Sequence, residues 1–259
     1  MPDNPLVGDL PDFNDVEQAA ARIRPFVRQT PVLQDRALDE SLGCQLLLKC
    51  ENLQGSGAFK LRGASNAVAR LREQGIAGDV ATHSSGNHGA ALALAARLDG
   101  RRAHVVMPEN ASPFKVAAVR QQGGEVYFSP PSQAGREAGL EALVKSGYIA
   151  IPPYDHFDII AGQGTACLEL LQQVPDIGIV IVPVGGGGLI GGTALVASHQ
   201  GVITVGAEPA GAADTAASLA RGQRLEEAEA DTIADGLRAL VGVSNFALVQ
   251  QLVERVFTV

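Results

Sequence analysis

The sequence predicts an α/β fold of twisted, mostly parallel sheets flanked by helices, and three observations point to it. From Val80 onward, short apolar runs of strand length alternate with longer segments of helical periodicity. That alternation places crossover helices between parallel strands. Two of the runs, Val80-Ala81-Thr82 and Ile179-Val180-Ile181-Val182-Pro183-Val184, lead into glycine-bearing loops that open helices. Finally, the chain has 259 residues, 46% of them hydrophobic, enough to bury one large core or two modest ones.

Taken in order, Asn14 followed by Glu17 resembles a capping box opening a helix through Val16, Ala19, Ala20 and Ile23, closed before Pro25. Thr30-Pro31-Val32-Leu33 reads as extended, Leu38 to Leu42 as a short helix stopped by Gly43, and Gln45 to Glu51 as a strand. Next, Ser56-Gly57-Ala58-Phe59-Lys60-Leu61-Arg62-Gly63-Ala64 sets a lysine on the first turn of a helix. Its apolar positions are Leu61, Ala64, Ala67, Val68 and Leu71, and it runs to about Glu73 before Gly75. Strands are then predicted at Val80–Thr82, Ala103–Met107, Glu125–Phe128 and Tyr148–Ile151, with helices at Gly89–Leu98, Pro113–Gln122 and Gln133–Ser146 between them. Ser112 and Pro113 form an N-cap and N1 pair. Past Pro152-Pro153 the alternation resumes: helix Ile159–Val174, strand Ile177–Pro183, helix Leu189–His199, strand Val202–Ala207 and helix Thr215–Arg221. A polar loop to Asp231, helix Asn245–Val253 and strand Arg255–Val259 complete the pattern.

Composition narrows the function. No apolar run approaches the ~18 residues of a membrane span. The acidic start Met1-Pro2-Asp3-Asn4 lacks a signal-peptide pattern, so a cytoplasmic location is expected. A formal net charge of −8 without basic clusters argues against nucleic acid as partner. Cys44, Cys50 and Cys167 have no metal or redox spacing, which fits reduced thiols.

Three stretches carry chemistry. A lysine among apolar neighbours at a helix N-terminus has its charge disfavoured by burial and by the helix dipole. Lys60 is therefore a candidate amine nucleophile for a Schiff base. Gly185-Gly186-Gly187-Gly188 at a helix start can cradle a phosphate through bare backbone amides, or simply allow tight packing. Ser84-Ser85-Gly86-Asn87-His88-Gly89 offers hydroxyls and amides at a second helix start.

Together these stretches resemble the pyridoxal-phosphate enzymes of the tryptophan-synthase-β fold type, and most closely their threonine/serine dehydratase and serine racemase branch. The resemblance runs from about Pro31 to Val259. It implies a smaller domain, 79–152, inserted into a larger one made of 1–78 and 153–259, with the cofactor in the cleft between them. It implies Lys60 as the Schiff-base lysine and, once freed, a base beside Cα. Phe59 is implied near the ring, Asn87 on the cofactor 3′-oxygen, and Gly185, Gly186, Gly187 and Gly188 on its phosphate. Ser84, Ser85, Asn87 and His88 are implied at the substrate, although His88 equally suits a packed histidine and Phe59 a core residue. Arg136 matches a family arginine that can meet a second substrate carboxylate; it also suits a solvated helix position.

By the same resemblance, Glu208, Asp214 and the carbonyl of Ala212 match a divalent-cation loop suited to Mg²⁺ or Ca²⁺. Ser85 stands where racemases carry a second acid/base, which hydroxyaspartate dehydratases also keep. Ala239 replaces a substrate-contacting serine of racemases. The implied activity is β-elimination of water from serine or threonine, giving a 2-oxo acid and ammonia. Serine racemase, 3-hydroxyaspartate dehydratase and a catalytically silent cofactor- or amino-acid-binding protein are the alternatives. The family pattern continues past Val259, through a Ser-Gly-Gly segment facing the pyridine nitrogen. An early stop is expected to leave the larger domain incomplete, to weaken cofactor binding and turnover, and to favour homo-oligomers through an exposed sheet edge.

Overall fold

The computed structural model describes residues 9–259, so the expectation resting on Met1-Pro2-Asp3-Asn4 lies outside the described residues. In chain order the elements are α1 (Phe13–Ile23), β1 (Val32–Gln34), α2 (Arg36–Leu42), β2 (Leu47–Lys49), α3 (Lys60–Glu73) and β3 (Val80–His83). Then follow α4 (Asn87–Leu98), β4 (Ala103–Pro108), α5 (Pro113–Gln121), β5 (Glu125–Ser129), α6 (Gln133–Lys145) and β6 (Ile149–Ala150). The remainder comprises α7 (Phe157–Gln173), β7 (Ile179–Pro183), α8 (Gly188–His199), β8 (Ile203–Glu208), α9 (Asp214–Arg221), α10 (Val243–Leu252) and β9 (Arg255–Thr258).

The fold is α/β, as the alternation predicts. One sheet has the order β5-β4-β3-β6 and a second the order β7-β8-β9, all pairs parallel. A small antiparallel pair, β1-β2, stands apart. Strand β4 is buried at every residue because helices cover both faces. Val105 and Met107 pack against α4 and α5, while Val106 between them packs against Leu143 of α6. The period of two thus sorts one strand's side chains into two layers.

The first sheet and the segment before it share a core. Leu61, Ala64, Ala67 and Val68 of α3 pack with Leu92 and the alanines of α4, Val80 of β3 and Ile159 of α7. Glycines let helix backbones touch on both sides of α7. A Cβ at Gly162 would come within 2.6 Å of the Gly63 Cα on α3, and one at Gly192 on α8 within 2.4 Å of the Ile160 carbonyl oxygen. On the second sheet, Ile179, Ile181, Ile203 and Phe257 are exposed.

Helix starts differ from the predicted ones for local reasons. The capping box at α1 is Asp12 with Asp15, two residues before the expected pair: Asp12 Oδ1 accepts from the Asp15 amide at 3.0 Å and Asp15 Oδ2 from the Asp12 amide at 2.9 Å. Ser112 and Pro113 do occupy the N-cap and N1 positions of α5, but no side-chain cap bond forms there. Helix α10 opens at Val243 because the Asp155 carboxylate, far away in sequence, accepts from the amides of Val243, Ser244 and Asn245 at 2.8, 3.1 and 3.3 Å. Among the described residues, no helix is long and apolar enough to cross a membrane.

Candidate active site

Lys60 opens α3 and lies against the segment that links the two sheets. Its Nζ donates to the Pro153 carbonyl at 2.8 Å and lies 5.2 Å from the Phe59 ring centroid and 5.9 Å from that of Tyr154. Among the described residues no carboxylate pairs with it. Enclosure by protein without a counter-charge pulls its pKa from 10.5 down to about 8. The residue is nevertheless part-accessible.

His88, on the first turn of α4, is buried and lies with Nε2 3.2 Å from the Ile151 carbonyl oxygen. A carbonyl only accepts, so Nε2 carries the proton and Nδ1 keeps a free lone pair; among the described residues it has no partner. Burial first, and then the Lys60 charge, lower the His88 pKa to about 3, so the ring is neutral. His88 therefore touches the linking segment in this structure, which fits the packed role raised from the sequence.

The same segment meets the glycine loop. Tyr154 lies on it so closely that a Cβ at Gly186 would fall 2.4–2.6 Å from the ring carbons. Asn245 fastens the contact, with Nδ2 donating to the Gly186 carbonyl at 2.7 Å and the Tyr154 carbonyl at 3.2 Å. Gly187 takes a left-handed φ of +89°, and a Cβ there would reach within 2.7 Å of the Asn245 Cβ. The amides of Gly185, Gly186 and Gly187 find no acceptor among the described residues. Gly188 begins α8, so these donors gather at the positive end of a helix dipole.

In the other loop, the Ser84 hydroxyl accepts from the amides of Gly86 and Gly89, both at 3.1 Å. Ser84 thus shapes the loop and advances the start of α4 to Asn87. Ser85 and Asn87 are exposed at the loop. Arg136, on α6, donates to Gln133 Oε1 at 2.6 Å. His83, which precedes the loop, is held below its ordinary pKa by burial and next by the nearby Arg136 charge.

The Glu208 carboxylate caps α9, accepting from Thr215 and Ala216 amides at 3.1 and 2.9 Å, and Asp214 Oδ2 accepts from Val241 at 2.8 Å. Desolvation raises both pKa values above the usual carboxylate range, and Asp214 adds to the rise at Glu208. Among the described residues no three His, Cys, Asp or Glu side chains converge. A cation here would use two carboxylates, the Ala212 carbonyl and water. The buried, partnerless Thr215 Oγ1 and the raised carboxylates fit such a small hard ion.

Tyr154, Asn245 and Asp155 did not stand out in the sequence. An aromatic directly after Pro152-Pro153 hinted at Tyr154, but nothing local pairs it with a glycine 32 residues on (186 − 154). The free amides at Gly185–Gly187 and the uncountered amine of Lys60 fit a phosphate-bearing aldehyde such as pyridoxal phosphate.

Comparison with known proteins agrees. Residues 23–259 match the family described as "Pyridoxal-phosphate dependent enzyme". The chain is 43% identical over 255 residues to a serine racemase of Oryza sativa subsp. indica, covering 97% of this chain and 75% of that protein. It is 41% identical over 254 residues to the L-threo-3-hydroxyaspartate ammonia-lyase of Saccharomyces cerevisiae, covering 96% and 78%. Among solved structures, maize serine racemase superposes with a TM-score of 0.94 at 43% identity, covering 97% of this chain and 77% of that one.

Proposed function

The chain belongs to the pyridoxal-phosphate-dependent enzyme family, and from that premise we propose that it is an ammonia-lyase eliminating water from a small β-hydroxy amino acid. The observation that carries this is the Lys60 amine, enclosed by protein without a counter-charge and held near pKa 8 beside the Pro153 carbonyl. Such an amine is neutral often enough near physiological pH to bond a carbonyl and, when released, to take a proton. Bound there, pyridoxal phosphate would supply an electron sink for bonds at Cα.

In this scheme the amides of Gly185–Gly188 would hold the phosphate, and Asn87 and Phe59 would orient the ring. Ser84 keeps the Ser84–Gly89 loop in the shape that receives the substrate carboxylate. Lys60 takes the Cα proton, the Cβ–O bond breaks, and the Lys60 ammonium returns that proton to the departing hydroxyl, which leaves as water. The released enamine tautomerises and takes up water, giving a 2-oxo acid and ammonia. His88 stays neutral behind Lys60 and adds no competing charge. We take residues 79–152 as a unit inserted between 1–78 and 153–259, which the separate sheets support. A cytoplasmic location belongs to the same proposal. So does a homo-oligomer buried on the exposed apolar face at Ile179, Ile181, Ile203 and Phe257, to be checked by sedimentation.

A second reading, inversion of serine at Cα, is favoured by the exposed Ser85 hydroxyl on the Ser84–Gly89 loop. Incubation with serine, threonine and 3-hydroxyaspartate, scoring 2-oxo acid and D-serine separately, tests both. Ser85→Ala should end inversion and spare elimination, while Lys60→Ala should end both. A Lys60→Ala protein that keeps either activity would remove the proposal.

A further inference from the structure

Lys115 lies in the first turn of α5, on the first sheet's unit. Its stem covers the substrate-side loop: a Cβ at Gly86 would fall 3.0, 3.3 and 3.5 Å from Lys115 Cδ, Cε and Cγ. Its ammonium crosses the cleft to pair with Asp235, at the start of the short 3₁₀ turn Asp235–Leu237. That turn in turn sits on the other loop, since a Cβ at Gly185 would fall 3.0 Å from Leu237 Cα and 3.3 Å from the Gly236 carbonyl oxygen. Arg238 secures the turn from behind, donating twice to the Thr232 carbonyl, at 2.5 and 3.2 Å. Gly86, Lys115, Asp235 and Gly185 thus form one continuous path between the two loops.

We propose that Lys115 and Asp235 are a positioning pair that couples the Ser84–Gly89 loop to the Gly185–Gly188 loop across the cleft. Lys115 pulls Asp235 below its ordinary pKa, with Arg238 contributing less. The pair is half-open to solvent and touches neither Lys60 nor Ser85, so it fixes geometry and performs no chemical step. What each loop contacts rests on the function proposed above; the coupling itself does not.

Hydrogen–deuterium exchange on the whole chain, with and without inorganic phosphate, provides the test. Lys115→Met keeps the stem and removes the charge, and Asp235→Asn removes its partner. Each should speed exchange in both peptides, 84–89 and 185–191, by about 2- to 5-fold, the range of an ion pair open to water. The double variant should add nothing further. Lys115→Arg should match the parent, and the exchanged pair Lys115→Asp with Asp235→Lys should recover part of the protection. In turnover, Lys115→Met should raise KM by about the same factor and leave kcat within about 2-fold. Exchange that quickens only in the substituted segment, or additive effects in the double variant, overturns the coupling. Coupled exchange in a parent that turns over no amino acid sinks the proposed function and leaves the pair standing.

Discussion

Replacing Arg62 by methionine should destabilise the protein more than any other single change near the site. Its side chain is 1% exposed and held twice over. Nε and Nη2 donate to Glu51 at 2.8 and 2.7 Å, while Nη2 and Nη1 donate to Glu169 at 2.9 and 3.2 Å. Glu169 also accepts from Lys49 and from the Thr30 amide. Methionine keeps most of the volume but leaves two carboxylates facing one ammonium. Breaking a buried pair in this way costs about 3–5 kcal/mol, so a fall in Tm of roughly 6–20 °C is expected. The loss should depend on pH. Burial works against the Glu169 carboxylate, but Arg62 and then Lys49 outweigh it and hold its pKa below the ordinary value. A depressed folded-state pKa contributes stability above the unfolded value and loses it as pH falls through the folded one. The gap between parent and variant should therefore be widest near neutrality and close below about pH 4.5. Denaturant melts across that range check it. A gap under about 1 kcal/mol at neutral pH, or one that does not narrow in acid, would refute the reasoning.

Three more outcomes are expected. Added pyridoxal phosphate should form a lasting chromophore with the parent and none surviving dialysis with Lys60→Ala; formation should rise with pH through a midpoint at about 8, and a midpoint near 10.5 would contradict the burial of the amine. Gly186→Ala drives a methyl into the Tyr154 ring, so stability should drop by about 1–3 kcal/mol and phosphate binding should weaken; adding Tyr154→Ala should restore the fold, and a single variant melting like the parent would argue against the contact. Glu208→Gln with Asp214→Asn keeps the cap acceptors, so it should erase a Mg²⁺- or Ca²⁺-dependent gain in Tm without unfolding α9; a parent indifferent to both ions ends the cation proposal.

Much of this architecture was legible because its signals are local. The helix at Lys60 starts where its apolar spacing says, and each parallel strand except β9 follows a glycine turn by three residues or fewer. The family likeness supplied the candidate site from three short stretches. What escaped depends on partners distant in the chain. Asp155 caps a helix 88–90 residues away, so α10 began earlier than its own sequence suggested. The Asp12–Asp15 box was passed over because Asn14 and Glu17 offer the commoner residue types at the same spacing. The burial of Arg62 has no local signal, since nothing in a linear pattern brings Glu51 and Glu169 to it. Lys115 and Asp235 meet across a cleft that exists only once both sheets have formed.

Helix α7 meets α3 and α8 through glycines, with backbone against backbone. Side chains can change rotamer and let a gap widen or close by fractions of an ångström; main chains in contact cannot. The separation between the Lys60 amine on α3 and the free amides at the start of α8 is therefore a gauge length, set by atomic radii along a three-helix stack. A methyl group at Gly63, Gly162, Gly164 or Gly192 would lengthen that gauge while leaving every chemically active group untouched. Such a variant would hold all the right residues at the wrong spacing.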